Sequence, residues 1–147
     1  MFRRLVATSS AWVTVPLRLA LAIIFFAHGS QKVLGSFGGR GLSVWTSGQT
    51  PFSFMRPAWL WLGAAAISEL VGSILVFIGL FTRVGAFLIA CVMLTAIAGV
   101  HWPHFFAKDN GMELPLALLA ISLALVIAGG GQLSVDRALT GSGGRRK

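Results

Sequence analysis

The sequence predicts an all-α integral membrane protein: an antiparallel bundle of four transmembrane helices with both termini in the cytoplasm. Three observations carry this. Of 147 residues, 56% are hydrophobic and only 11% charged, where ordinary globular chains carry about 25% charged residues. A soluble chain this short has too little interior to hide that much apolar surface. Four stretches approach the roughly 20 mostly apolar residues that a spanning helix needs. Finally, the basic residues divide unevenly between the two sides those helices would define.

The spans are expected at roughly residues 11–33, 58–81, 84–102 and 114–133 of a single domain over 1–139, followed by a basic flexible tail over 140–147. Helices are the reading because no alternating strand pattern appears, and lipid tolerates only helices or closed barrels. The first span follows Arg3 and Arg4 and is interrupted by Arg18, so it reads as an uncleaved anchor rather than a short signal segment. Thr82-Arg83 joins spans two and three in a tight hairpin. Lys108-Asp109-Asn110-Gly111 marks a turn between spans three and four. Residues 34–57 are Gly- and Ser-rich, with Pro51, Pro57 and Trp45. Too polar to span, this segment is expected to lie at the interface or fold back over the bundle mouth.

With an even number of spans, one side collects Arg3, Arg4, Arg83, Arg137, Arg145, Arg146 and Lys147. The other has Lys32, Arg40, Arg56 and Lys108. The positive-inside rule therefore places both termini in the cytoplasm, with Trp12, Trp59, Trp61 and Trp102 in interfacial belts. A net charge of +8 is explained by these flanking residues and their lipid headgroups. Without any nucleic-acid motif, it does not imply a nucleic-acid partner. The lone Cys91 sits in an apolar run and reads as a small filler. Stripes of small residues, Ala64-Ser68-Gly72 and Ala120-Ala124-Ala128, predict close helix packing.

The residues that should not be in lipid carry the functional expectation. A charge at the centre of a spanning helix costs roughly 2.5–3.5 kcal/mol on insertion scales. Arg18, His28 and Lys32 project from one face of span one, within roughly 80° at about 100° per residue. Counting ~1.5 Å per residue, Glu69 lies ~17 Å below the outer surface and Arg18 ~8 Å above the inner one. A buried Arg18–Glu69 pair is expected to lock the bundle. His28, Glu69, His101 and Glu113 form the candidate catalytic set, a ladder of protonatable groups running outward, since His titrates near neutral pH and burial raises a Glu toward it. Arg18, His28 and Glu69 form the candidate cofactor-binding set, a pocket for a quinone or similar lipophilic molecule. Bland alternatives stand beside these: snorkelling for Arg18, a helix N-terminal role for Glu113, and headgroup contacts for Lys32 and Lys108. No metal site is expected, because no ligand spacing of the HExxH or Cys/His kind occurs. A haem held by His28 and His101 is disfavoured.

Four motifs in order resemble the DoxX family. They are Arg18-Leu19 with Phe25-Phe26-Ala27-His28-Gly29-Ser30-Gln31-Lys32; Glu69 with Gly72 and Gly79-Leu80-Phe81-Thr82-Arg83; His101 with Phe105-Phe106 and Gly111-Met112-Glu113-Leu114-Pro115; and Gly129-Gly130-Gly131-Gln132-Leu133-Ser134-Val135-Asp136. The resemblance covers roughly residues 13–139. It implies four helices in the bacterial cytoplasmic (inner) membrane and an association with redox chemistry, since relatives include the small subunit of thiosulfate:quinone oxidoreductase. The expected function is an accessory subunit of a quinone- or thiol-linked membrane oxidoreductase system. A partner redox protein would supply the electrons, because paired cysteines, a dinucleotide fingerprint and tyrosine are all lacking. A homo-oligomer is the other expected assembly. A non-catalytic scaffold and a small transporter are the competing readings, and whether the chain is an enzyme is left open.

Overall fold

The long helices form where the apolar runs are, and stop at glycine or at a break in that pattern. The computed structural model describes residues 7–8 and 11–141, and among these every regular element is helical. They are α1 (Thr14–Val33), α2 (Gly41–Thr46), α3 (Ala58–Ile78), α4 (Thr82–Ala96), α5 (Glu113–Ala128) and α6 (Val135–Gly141). One π turn, Ile97–His101, continues α4. α1 packs on α3, α3 on α4, α4 on α5, and α5 closes back onto α1, with α2 against α1 and α3. Phe25, Leu21, Ile89, Leu125 and Val76 fill the centre, all essentially inaccessible.

Among the described residues, two helices are long and apolar enough to cross a membrane: Ala58–Ile78 and Thr82–His101. The run Glu113–Ala128 is apolar but shorter. The outer faces are apolar as well. Ile23, Phe77, Phe87 and Ile127 stand 57–76% exposed on four different helices, a surface that water would not tolerate over such an extent.

The fourth apolar run ends earlier than its hydropathy suggests, at Ala128 rather than at residue 133. Gly129 adopts φ 76°, ψ −163°, a conformation open essentially to glycine alone, and residues 129–134 turn back across the helix ends. After this turn a last helix runs from Val135 to Gly141, and residues 142–147 of the expected tail lie outside the described residues. Arg3, Arg4, Arg145, Arg146 and Lys147, on which the orientation count partly rests, lie outside the described residues.

Glycine sets the closest approaches. A Cβ on Gly29 would fall 2.6 Å from the Leu70 backbone nitrogen, and one on Gly85 would fall 2.8 Å from the Gly72 carbonyl oxygen. Such contacts let helix backbones meet directly. The small-residue stripe on α3 is therefore divided: Gly72 packs against α4, whereas Ala64 and Ser68 border open space. The stripe on α5 does not pack within the chain, since Ala120 and Ala124 are exposed.

Three charged side chains tie the helix ends together on the side where α3 stops and α4 starts. Arg18 is 4% exposed and does not snorkel. Its Nε donates to the Val76 carbonyl (2.8 Å), Nη2 to Phe77 (2.7 Å), and Nη1 to Gly130 and Leu133 (both 3.1 Å). Val76 and Phe77 are at the C-terminus of α3, where carbonyls lack intrahelical donors and the helix dipole is negative. Asp136 does the converse at the start of α4, its carboxylate accepting from the backbone N–H groups of Phe81 (2.7 Å) and Thr82 (2.9 Å). Arg83 reaches the Val126 carbonyl near the end of α5 (3.0 Å) and that of Ala7 (2.9 Å).

The expected Arg18–Glu69 pair is not formed. α1 and α3 run antiparallel with Gly29 level with Leu70. Arg18, eleven residues before Gly29 and so twelve from the level of Glu69, thus lies roughly 18 Å along the helix from it. At its own level it meets the carbonyl-rich end of α3 instead.

Candidate functional site

Glu69 is buried to 2% exposure in the middle of α3 and takes its counter-charge from Lys32. The ammonium lies 2.5 Å from Oε1 and 2.7 Å from Oε2. Lys32 sits in the last turn of α1, about one turn beyond Gly29, and the Gly29–Leu70 contact brings the two helices close enough for its side chain to reach in. Lys32 was expected at the headgroups; the tight crossing turns it inward. Trp45 of α2 completes the arrangement, with the ammonium 4.6 Å from its ring centroid. The indole Nε1 donates to the Leu62 carbonyl (2.9 Å), which pins the 34–57 segment back over the bundle.

This pair is part of the wall of a cavity of about 620 Å³, within the range of drug-sized ligand sites, about 300–1,000 Å³. α1 supplies Phe25, His28 and Lys32, and α3 supplies Ala64, Ser68 and Glu69. Cys91 and Met93 come from α4, Leu118 from α5, and Trp45, Thr50 and Met55 from the folded-back segment. The small side chains of Ala64 and Ser68 help create the space. Apolar groups make up most of the wall, and its formal charges cancel: Lys32 against Glu69.

His101 enters from the π turn, a feature often found at functional sites. Its Nδ1 lies 2.6 Å from the Asn110 carbonyl oxygen. A carbonyl only accepts, so Nδ1 carries the hydrogen and the neutral ring is left with Nε2 as an acceptor. Gly99 in the same turn makes room for Pro51 and Phe52, since a Cβ there would lie 2.5 Å from the Pro51 Cβ. The folded-back segment and the π turn are thus packed against each other above the cavity.

Of the candidate catalytic residues, His28, Glu69 and His101 all border this one cavity, and Glu113 does not. Glu113 is the first residue of α5, exposed, and its Oε2 accepts from the Ala107 backbone N–H (3.0 Å). Its place is at the helix N-terminus, where negative charge is favoured. Of the candidate cofactor-binding residues, His28 and Glu69 border the cavity while Arg18 is held at the opposite end of α1. Lys32 and Trp45 were not singled out for the site by sequence. The shared helical face of His28 and Lys32 was the available signal for Lys32. Nothing local in the sequence marks Trp45. Among the described residues, no group of three or more His, Cys, Asp or Glu side chains is close enough to hold a metal ion.

An ion pair of this kind is weak support for stability, because the desolvation of two charges offsets much of their attraction and an apolar pair often serves as well. Its position in the wall of an apolar cavity is what an orienting polar group in a ligand site requires.

The profile of the DoxX family matches residues 13–102. An uncharacterized protein of Haemophilus influenzae is 33% identical over 128 residues, covering 82% of this chain and 85% of that protein. A Bacillus subtilis protein named "Putative oxidoreductase CatD" is 35% identical over 118 residues, covering 76% of this chain and 77% of that protein. No solved structure matches the chain.

Proposed function

The chain belongs to the DoxX family of membrane proteins, and from that premise we propose that it is an accessory subunit of an oxidoreductase system in the bacterial inner membrane. In this reading α1, α3, α4 with its π turn, and α5 all span the bilayer, with both termini cytoplasmic. The cavity lies in the outer half and holds a quinone or similar lipophilic carrier. The observation that carries the proposal is the Lys32–Glu69 pair in the wall of an apolar cavity, flanked by His28 and His101.

The chemistry follows from the donors and acceptors present. Lys32 uses two hydrogens on the Glu69 oxygens and has a third to offer a carbonyl oxygen of the ligand. In its neutral form the His101 ring, with Nδ1 donating to the Asn110 carbonyl, offers Nε2 to a hydroxyl. A carrier that gains or loses hydrogen thus meets a donor and an acceptor, and His28 and Glu69 are the protonatable groups beside it. Electrons come from a partner protein in this reading. The name of the Bacillus subtilis relative points to the same general chemistry.

The test is purification in mild detergent, extraction of bound lipid, and mass spectrometry for quinone, with the same extraction on Glu69→Gln. Co-purifying quinone that is lost in Glu69→Gln protein of unchanged helicity is the expected result. Quinone-free wild-type protein, or undiminished quinone-linked activity in Glu69→Gln, would overturn the proposal in favour of a scaffold.

A further inference from the structure

The cavity is not confined to the inside of the bundle. α3 and α4 touch where a Cβ on Gly72 would lie 3.0 Å from the Gly85 carbonyl oxygen and 3.1 Å from the Ile89 side chain. Over about the next two turns toward the N-terminus of α3, the seam between the helices opens. There Ala64 and Ser68 of α3 and Leu88 and Cys91 of α4 border the cavity. At about 100° per residue, Glu69 projects roughly 60° to the inner side of Gly72 and Ala64 roughly 80° to its outer side. On α4, Met93 projects roughly 80° inward of Gly85 and Cys91 roughly 120° outward. Glu69, Ala64, Met93 and Cys91 all line the same cavity, so it passes through the seam from the core to the outer face. Burial agrees: Glu69 and Met93 are buried, whereas Ala64 and Cys91 are exposed.

The other ways in differ. Toward the loops, the folded-back segment lies over the cavity, held by Trp45 on the Leu62 carbonyl and by Pro51 against Gly99. The cavity also reaches the seam between α1 and α5, at His28 and Leu114, both exposed. A leucine and an imidazole make that border bulkier and, at His28, polar. The α3–α4 seam is bordered by the methyl of Ala64 and the short side chains of Ser68 and Cys91. Thr95, also in the wall, spends its hydroxyl hydrogen on the Cys91 carbonyl of its own helix (3.0 Å). The ion pair stands at the α1 side of the cavity and small, mostly apolar groups at the α3–α4 side, so the space has a polar end and an apolar exit. That exit faces the surface carrying Phe77 and Phe87, the apolar exterior of these two helices.

We infer that the cavity is loaded sideways from the bilayer. Its ligand is an amphiphile whose polar end lies toward Lys32 and Glu69 and whose apolar chain leaves between Ala64 and Cys91. The inference rests on reading the cavity as a ligand site, and adds the route, the chain and the residues whose small size admits it. A chain lying in the seam stays among apolar groups from the cavity to the lipid and never crosses water, which would oppose its passage. No bond is made or broken.

The experiment uses the full chain in nanodiscs. The probes are decylubiquinone and hexadecanol, each carrying a diazirine at the end of its chain, and insertion sites are mapped by peptide mass spectrometry after photolysis. Insertion into Ala64, Ser68, Leu88 and Cys91 is expected to saturate with probe and to be displaced by the unlabelled compound. Insertion at outward residues such as Ile23 and Ile127, which only the bilayer reaches, should rise linearly. Ala64→Trp should lower the saturable insertion at least about tenfold, because a chain forced past an indole meets an overpacked gap. Ile127→Trp, the same bulk on an exposed face of α5 away from the cavity, should leave it unchanged. If Ala64→Trp does not fold, Cys91→Trp fills the seam from the other helix.

Saturable insertion on the α1–α5 seam or the 47–57 segment, insertion at the α3–α4 seam that never saturates, or indifference to the seam tryptophans would each overturn the inference. The two probes separate it from the redox reading. Saturable quinone insertion elsewhere sinks this inference alone. Hexadecanol insertion in the seam that decylubiquinone neither reproduces nor displaces sinks the quinone reading alone. Saturation by neither probe sinks both.

Discussion

Replacing Arg18 with methionine should be among the most damaging single changes in this protein. Methionine keeps the apolar stem and removes the guanidinium. The Val76 and Phe77 carbonyls then lose their donor (2.8 and 2.7 Å), as does Leu133 (3.1 Å), while Gly130 keeps the Thr14 hydroxyl (3.1 Å). Each buried carbonyl left without a donor costs about 1–3 kcal/mol. Two to three of them, partly relieved by water at the helix ends, sum to about 3–5 kcal/mol, the range measured when one partner of a buried charged network is removed. Arg18→Lys should recover about half of that, because a point ammonium cannot bridge α3 and the 129–134 turn together as a planar fork does. The assay is unfolding of detergent-solubilised protein by titration with SDS, followed by circular dichroism. A loss below about 1 kcal/mol for Arg18→Met, no more than an exposed ion pair contributes, would refute this account of the bundle end. So would full recovery by lysine.

Three further outcomes are expected. Gly29→Ala places a methyl group against the Leu70 backbone, so the helices must separate, at a cost of about 1–3 kcal/mol in the same unfolding assay; unchanged stability would mean that the crossing is not fixed there. Asp136→Asn replaces one carboxylate acceptor of the Phe81 and Thr82 N–H pair with a donor and should lower stability by about 1–2 kcal/mol, the cost of losing an N-terminal cap. In a double-mutant cycle, Lys32→Met and Glu69→Leu should each destabilise more alone than together, because either one leaves a buried charge unpaired. Additive effects would show that the pair is not formed.

Much of this was legible in the sequence, and the limits are instructive at particular residues. Composition and run length indicated helices, and local turn chemistry placed their ends well at Val33, Ala58 and Glu113. They failed at Leu133, where hydropathy continues past the glycines but the backbone cannot. Glu69 stood out as a charge in an apolar run, and His28, Lys32 and Arg18 as a polar face. Which of the two cations would answer Glu69 was beyond the sequence. Depth counting from the helix ends assumes that α1 ends at the level where α3 begins, and a shift of about two turns between them exchanges the partners.

The sequence by itself thus determined that the chain is helical, that its exterior is apolar and that a few ionisable groups lie among its helices, because these follow from period and composition, which are local. Only the tertiary structure decided that Arg18 binds carbonyls, that Lys32 pairs with Glu69, and that Trp45 and His101 share their cavity. The physical reason is register: the level at which α1 meets α3 is set by one glycine against one backbone, Gly29 on Leu70. A contact between residues 41 apart in the chain leaves no trace in the periodicity of either helix.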